Sequence, residues 1–198
     1  MGTRGLTKEK IVAEAVAYIE HTGQPTISLH ELARRLNVKP PSLYNHIQNT
    51  KELQYAVFQY AIDHLVAHQK NAVEQLKGDE AVRAFSRAYL AFAAAHKGLY
   101  RLIMTMPSEQ DEQAKELALP LLELVVDLLS SYGLCADDIA HWQRVLRAIL
   151  HGFLSQEDLG YFYYYNSIDL EKSRELAVQC FLDGLHTFLN HTVKAEQE

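Results

Sequence analysis

Residues 26–53, TISLHELARRLNVKPPSLYNHIQNTKEL, decide the fold of this chain. Ser28 and Glu31 have the spacing of a capping box, in which the serine hydroxyl accepts a hydrogen bond from the backbone N–H of Glu31 and the carboxylate reaches back. Asn37 lies nine residues after Ser28, and asparagine tolerates the left-handed backbone with which many helices end. Between them, apolar side chains at helical spacing predict one buried face: Leu29, Leu32, Ala33 and Leu36.

A second short helix is predicted after the turn, over residues 41–47. Proline in the first turn of a helix loses no hydrogen bond, so Pro40 and Pro41 mark the start of this helix. Leu43 and Ile47 would be its buried residues. Its polar side chains are of types that reach phosphates and base edges: Ser42, Tyr44, Asn45 and His46. The two helices and the turn between them predict a helix-turn-helix.

A helix is also predicted before this stretch, over residues 8–21. Thr7 has the position of its N-cap, and Gly23 the position of its end. This helix would pack across the helix-turn-helix pair and complete a three-helix module.

The helix that follows the stretch is predicted to be long. It begins at Asn49, which has Glu52 three residues on, and it meets no proline or glycine before Gly78. About seven turns are enough to begin in one domain and end in another. The chain is therefore predicted to divide into two domains, at 1–52 and 53–198.

The rest of the chain has helical periodicity throughout, and no stretch alternates with period two for long enough to suggest a sheet. Pro120 either kinks the helix that contains it or divides that helix in two. Asp169 has the position of an N-cap for the last helix. The helices are predicted at residues 81–96, 99–106 (closed by Pro107), 108–132, 138–159 and 169–189. The predicted fold class is all-α, with about nine helices.

Composition indicates a cytoplasmic protein without a cofactor. Of the 198 residues, 48% are hydrophobic and only two are cysteines, which are not at metal or redox spacing. Residues 1–10 lack the apolar core of a signal peptide, and no apolar run has the length of a membrane span. Residues 1–55 contain 7 basic and 5 acidic residues, and residues 56–198 contain 12 and 20. This asymmetry favours contact of the first part alone with a polyanion.

The order of motifs in LARRLNVKPPSLYNHIQNTKEL, residues 32–53, resembles the DNA-binding module of the TetR/AcrR family of bacterial transcriptional regulators. The resemblance implies a small helix-turn-helix domain followed by a larger all-helical domain that binds a ligand and dimerises. RVLRAILHGFLSQEDLGYF and FLDGLHTFL, in the second half, are similar to a subgroup with a Trp-His-Gly signature, of which only His151-Gly152 is present.

The resemblance also implies which residues meet double-stranded operator DNA. Tyr44 and His46 would contact phosphates and fix the recognition helix in the major groove. The family's phosphate-binding lysine aligns with Thr50, whereas Lys51 comes one residue later, which rotates a side chain by about 100° around a helix. The implied DNA-contacting residues are Ser28, Lys39, Pro40, Pro41, Ser42, Tyr44, Asn45, His46, Thr50 and Lys51.

The second domain is expected to form a homodimer and to bind an unidentified small-molecule effector. The helices at 138–159 and 169–189 would form the dimer contact, at Ala148, Gly152, Gly184 and Leu185. Apolar pockets with a few polar groups suit small ligands. The residues assigned to such a pocket are Tyr89, Phe92, His96, Tyr100, Met104, Trp142 and His151. The alternative is that these side chains belong to the core.

The same residues fit other functions less well. His64 and His68, with Asp63 adjacent, have a spacing that can present two imidazoles to a metal, but no third ligand can be named from the sequence, so no metal is expected. No phosphate loop, nucleophile elbow or activated cysteine is present, so an enzyme is not predicted. The prediction is a sequence-specific repressor, released from its operator when a ligand displaces the long fourth helix. The alternatives are a helical protein-binding adaptor and a non-specific DNA-binding protein.

Overall fold

The computed structural model of the chain describes residues 5–106, 110–165 and 167–195. These residues form nine α-helices and one 3-10 turn, Tyr163–Tyr165, and no strand occurs among them. The helices are α1 (Lys8–Thr22), α2 (Leu29–Arg35), α3 (Pro40–Leu43), α4 (Thr50–Val73), α5 (Gly78–Ala95), α6 (Lys97–Thr105), α7 (Glu112–Ser130), α8 (Ala136–Asp158) and α9 (Leu170–Ala195). The predicted all-α class is confirmed.

The described residues divide into two compact units. Unit 1 runs up to Ala67 and includes Phe92 to Leu121, and unit 2 comprises His68 to Ala91 and the residues from Leu122 onward. Helices α4, α5 and α7 contribute residues to both units. This division follows contacts within the chain, whereas the division into 1–52 and 53–198 concerns function and stays a prediction.

Four helix ends were correctly predicted from single residues. Thr7 Oγ1 accepts a hydrogen bond from the Lys10 N–H (3.3 Å), Asn49 Oδ1 accepts one from the Glu52 N–H (2.9 Å) and Asp169 Oδ1 accepts one from the Glu171 N–H (3.0 Å). Gly23 ends α1 at φ 67°, and its N–H donates to the Ile19 carbonyl (2.9 Å). These ends depend only on residues within about one turn.

Helices α3 and α4 end earlier than predicted. The recognition helix α3 ends at Leu43 because the N–H groups of both His46 and Ile47 donate to the Leu43 carbonyl (2.9 Å each), which closes the segment as a turn. The prediction that α4 continues to Gly78 is wrong. It ends at Val73, whose carbonyl accepts from the Leu76 N–H (2.9 Å) in a tighter turn.

The C-terminal half also departs from the predicted bounds. Helix α9 extends beyond residue 189 to Ala195. Helix α7 is continuous through Pro120, which excludes the alternative that this proline divides the helix in two. The predicted end at Pro107 and the predicted start at Ser108 lie outside the described residues.

In unit 1, α1 and α6 pack closely because one residue has no side chain. Gly98 is buried in the first turn of α6, and a Cβ atom added there would lie 2.3 Å from the Ile19 carbonyl oxygen of α1. Since any other residue at position 98 would collide with this backbone, glycine is required at the contact. The contact holds α1, and with it the helix-turn-helix that α1 supports, against α6.

Candidate nucleic-acid interface

The turn of the helix-turn-helix is a Schellman motif. Asn37 has φ 52° and is the only residue other than glycine with a positive φ in the described part of the chain. The Val38 N–H donates to the Ala33 carbonyl (3.0 Å), and the Asn37 N–H donates to the Arg34 carbonyl (3.2 Å). This pair of bonds is the standard way to end a helix with a left-handed residue. The left-handed turn expected at Asn37 is confirmed.

The capping box before the turn is only half formed. Ser28 Oγ accepts a hydrogen bond from the Glu31 N–H (3.2 Å), as predicted. The Glu31 carboxylate does not reach back; it accepts hydrogen bonds from Arg34 Nε (2.9 Å) and Nη2 (2.6 Å). A charge-assisted bidentate pair is stronger than a bond to a neutral N–H. The hydrogen bond from Arg34 also lowers the pKa of Glu31.

The recognition segment, residues 39–47, comprises α3 with its N-cap and the turn after it, and it is anchored by two buried side chains. Leu43 and Ile47 are almost completely buried, whereas Tyr44 between them is 55% exposed. Lys39 is the extended N-cap residue, and its carbonyl accepts a hydrogen bond from the Ser42 N–H (2.9 Å). The segment is therefore fixed on its buried face and presents its polar side chains to solvent.

All ten residues assigned to DNA contact lie at the surface of unit 1. Three of them are half-buried, namely Pro40, Ser42 and His46. The other seven are exposed: Ser28, Lys39, Pro41, Tyr44, Asn45, Thr50 and Lys51. Their accessibility is compatible with the assigned contacts, which stay predictions.

Lys51 is engaged within the chain. Its ammonium lies 3.4 Å from Asp111 Oδ2 and 5.2 Å from the centroid of the Tyr55 ring. The Tyr55 hydroxyl donates to both Asp111 oxygens (2.7 and 2.9 Å), and Asp111 Oδ1 also accepts from the Ala114 N–H at the start of α7 (3.1 Å). The hydrogen bond from Tyr55, followed by that from Ala114, lowers the pKa of Asp111. This cluster joins the start of α4 to the start of α7.

Sequence reasoning missed Tyr55 and Asp111. Tyr55 is one turn after Lys51 on α4, so the aromatic contact with Lys51 could have been proposed from spacing alone. Asp111 is 60 residues away from Lys51 and carries no local signal beyond its position as a helix N-cap.

A second ion pair fixes the start of α4 to α1. Glu52 accepts hydrogen bonds from Lys8 Nζ (2.5 Å) and from the Gln48 N–H (2.7 Å). The bond from Lys8, followed by that from Gln48, lowers the pKa of Glu52. Thr50 aligns with the family's phosphate-binding lysine. It therefore lies on a segment that ion pairs join to α1 and to the start of α7.

Most basic side chains near the helix-turn-helix are paired with acidic ones. Arg35 Nε lies 2.5 Å from Glu14, and Lys8, Arg34 and Lys51 have the partners given above. Lys39 is exposed, and within the described ranges it has no ion-pair partner. Lys39 is therefore the lysine in the recognition segment that is best placed to neutralise a phosphate.

We expect Lys39→Ala to weaken binding to operator and to unrelated DNA alike. Each phosphate contact that is lost makes the plot of log K against log salt less steep by about 1, so two subunits should change its slope by about 2. Lys51→Ala is the matched comparison and should change the slope less, because Asp111 already neutralises Lys51. The measurement is fluorescence anisotropy over a series of salt concentrations. Equal changes of slope for the two variants would contradict the assignment.

The residues assigned to an effector pocket are distributed between the two units. Phe92, His96, Tyr100 and Met104 belong to unit 1, and Tyr89, Trp142 and His151 belong to unit 2. Tyr89 and Phe92 are buried and His151 is exposed. His96 is half-buried, with Nδ1 3.1 Å from Glu20 and its ring 4.7 Å from that of Phe92. Their role in a pocket stays a prediction.

The residues assigned to the dimer contact differ in accessibility. Ala148 is exposed, and a Cβ atom added at Gly152 would have no other group within 4 Å. Gly184 is exposed, with the Trp142 ring 3.5 Å from the position of an added Cβ. Leu185 is completely buried within the single chain, so it has no surface to offer a second subunit.

The histidines considered as metal ligands make other contacts. The His64 ring lies 4.4 Å from that of Tyr60, and Asp63 accepts a hydrogen bond from Gln59 (2.8 Å). In the part of the chain that the structure describes, no three His, Cys, Asp or Glu side chains come close enough to hold a metal ion. Among the described helices, none has an apolar stretch that could cross a membrane.

Comparison with known proteins identifies the family. Residues 82–181 match the family described as "Tetracyclin repressor-like, C-terminal domain". The uncharacterized HTH-type transcriptional regulator YobS of Bacillus subtilis is 29% identical over 185 residues, 91% of this chain and 93% of YobS. The uncharacterized HTH-type transcriptional regulator Rv0681 of Mycobacterium tuberculosis is 30% identical over 160 residues, 78% of this chain and 72% of Rv0681.

The fold is also similar to that of solved structures. The TetR family protein ActR of Streptomyces coelicolor, in complex with actinorhodin, has a TM-score of 0.66 and 20% identity, covering 93% of this chain and 99% of ActR. The family match spans half of the chain, and the helix-turn-helix described above lies before it. The chain is therefore a member of the TetR family of helix-turn-helix transcriptional regulators.

Proposed function

We propose that this regulator is a homodimeric repressor that acts in the cytoplasm and is released from its operator by a small-molecule effector. The observation that carries the DNA-reading part is the recognition segment, in which Leu43 and Ile47 are buried and Tyr44 is exposed between them. A rigid backbone with outward polar groups is what a reader of the major groove needs. Tyr44 and His46 position the segment on phosphates, and Ser42 and Asn45 meet base edges.

A dimer follows from the shortness of the recognition segment. Helix α3 has only four residues, so one copy contacts few base pairs. Two copies related by a two-fold axis read two half-sites about 34–36 Å apart, which supplies the missing specificity. Ala148 and Gly152 on α8 and Gly184 on α9 are accessible small residues that allow a second subunit to approach closely.

Release by a ligand is supported by the family and by the length of α4. The similar protein ActR has been solved with actinorhodin bound. Helix α4 has 24 residues and begins directly after the recognition segment. A ligand that prefers a state with α4 displaced changes the distance between the two recognition segments, so that both half-sites cannot be engaged together.

The test is selection of bound sequences from random double-stranded DNA by the full chain. We expect a palindrome whose half-site centres are separated by about 10 base pairs or a multiple of this spacing. Recovery of DNA without a common sequence, with a steep salt dependence, would favour the non-specific DNA-binding protein. Absence of DNA binding even at low salt would favour the protein-binding adaptor.

A further inference from the structure

Asp111 is held more firmly by the chain than its partner Lys51. The Asp111 side chain is only 16% exposed, and it accepts hydrogen bonds from the Tyr55 hydroxyl and from the Ala114 N–H. The Lys51 side chain is 62% exposed, and its ion pair is the longest of the four around the helix-turn-helix, at 3.4 Å against 2.5 or 2.6 Å. Exposed ion pairs of this kind contribute little to stability. The carboxylate is therefore a fixed charge, and the ammonium is free to exchange partners.

Lys51 lies where an operator phosphate is expected. It follows Thr50, the first residue of α4, which aligns with the family's phosphate-binding lysine. The recognition segment ends at Ile47, about one helical turn of sequence before Lys51. An ammonium that binds a phosphate here must leave Asp111, which then lies near the DNA without its charged partner. Because like charges repel and both groups attract the same ammonium, Asp111 opposes this exchange.

The hydrogen bonds around Asp111 do not require a charged group. Asparagine is as good an N-cap as aspartate, so its amide oxygen would accept from the Ala114 N–H equally well. The same oxygen would accept from the Tyr55 hydroxyl. Apart from the small effect of the helix dipole, the charge of Asp111 adds its attraction for Lys51.

We propose that Asp111 competes with an operator phosphate for Lys51, and that it thereby keeps the operator affinity below the value that the helix-turn-helix would otherwise reach. The inference rests on the proposed function, because the competing phosphate belongs to the operator. Asp111 is a positioning residue, since it acts on DNA binding through the ammonium of Lys51. Tyr55 supports it by orienting the carboxylate with its hydroxyl.

The test removes the charge of Asp111 and keeps its hydrogen bonds. Asp111→Asn should retain the helical content of the wild type in circular dichroism. A released Lys51 adds up to one phosphate contact per subunit, which steepens the plot of log K against log salt by up to about 2 for a dimer. At about 0.1 M salt, we expect Asp111→Asn to bind the selected operator at least about fivefold more tightly than the wild type, with a larger gain at lower salt. Fluorescence anisotropy with the full chain measures both quantities. A merely structural role of Asp111 would not produce tighter binding with a steeper slope.

The double variant Lys51→Ala with Asp111→Asn shows whether the gain passes through Lys51. We expect it to bind about as Lys51→Ala does, because no ammonium is left to release. A gain of the same size with and without Lys51 would mean that Asp111 merely repels DNA, which overturns the proposal.

Glu112→Gln is the matched control for the change in net charge. Glu112 is adjacent to Asp111, but its carboxylate pairs with Lys115 (2.8 Å), so this variant removes the same charge and releases a lysine of α7 instead of Lys51. It should bind the operator as the wild type does. Equal gains for Glu112→Gln and Asp111→Asn overturn the proposal.

The wild type separates this proposal from the proposed function. If the wild type selects an operator and Asp111→Asn binds that operator no more tightly, the competition is refuted and the regulator is retained. If the wild type selects no DNA sequence, the proposed function is refuted, and the competition for an operator phosphate is refuted with it.

Discussion

Gly98→Ala is expected to lower the free energy of unfolding by about 2 kcal/mol. The added methyl group would lie 2.3 Å from the Ile19 carbonyl oxygen and 2.8 Å from Ile19 Cγ2. The first of these atoms belongs to the backbone of α1, so α1 and α6 must separate to admit it. The gain in helix propensity from alanine is at most about 1 kcal/mol and does not offset the collision. Urea unfolding followed by circular dichroism measures the loss as a lower midpoint with an unchanged slope.

Two further variants show whether the backbone contact is the cause. Lys97→Ala changes the neighbouring, exposed residue of α6 and introduces no collision, so it should not lower the midpoint. Ile19→Ala in the Gly98→Ala background should not restore stability, because it leaves the carbonyl oxygen in place. A Gly98→Ala chain as stable as the wild type would mean that α1 and α6 are not packed as described.

The predictions that succeeded depend on residues close together in the sequence. Thr7, Asn49 and Asp169 act as N-caps through hydrogen bonds to residues two or three positions later. Asn37 ends its helix through bonds that close within five residues. Such arrangements are set by local backbone geometry, so a single sequence contains enough information to predict them.

The features that were missed or predicted wrongly depend on distant partners or on competition between partners. Gly98 meets Ile19, 79 residues before it, and the sequence places it only in the gap between the predicted helices at 81–96 and 99–106. The Glu31 carboxylate had two possible donors at similar spacing, the backbone N–H of Ser28 and the guanidinium of Arg34. It accepts its hydrogen bonds from Arg34. Apolar periodicity likewise continues beyond Val73, although α4 ends there, because the apolar side chain of Leu76 lines an apolar cleft in unit 2 from the turn after α4.

The same distinction between nearby and distant partners holds for the candidate site. The residues that reach outward from the recognition segment follow from the positions of Leu43 and Ile47, which the sequence marks as buried. The ion pair of Lys51 does not follow from the sequence, because its partner Asp111 lies 60 residues later, directly before α7. The apolar cleft in unit 2 could not be predicted, since the end of α4, the start of α5 and the second half of α7 form its walls.

Tyr44→Ala is expected to lower the affinity for the selected operator by at least about 100-fold. A hydrogen bond to a charged phosphate contributes about 1.5–3 kcal/mol, and a dimer loses two of them. The fold should be retained, because Tyr44 is 55% exposed and the segment is anchored by Leu43 and Ile47. Anisotropy with labelled operator at one salt concentration measures the affinity, and circular dichroism checks the helical content.

Tyr44→Phe and Tyr60→Ala show whether the hydroxyl group or the bulk of the side chain matters. Tyr44→Phe removes only the hydroxyl, so it should lose most of the affinity that Tyr44→Ala loses. Tyr60 is also partly exposed but lies on α4 outside the recognition segment, so Tyr60→Ala should bind as the wild type does. If Tyr44→Phe binds normally while Tyr44→Ala loses both affinity and helical content, Tyr44 supports the packing of the module. DNA contact would then rest on Lys39, Ser42, Asn45 and His46. Lys39 would supply most of the attraction to phosphates, and the weaker salt dependence of DNA binding by Lys39→Ala would measure that attraction.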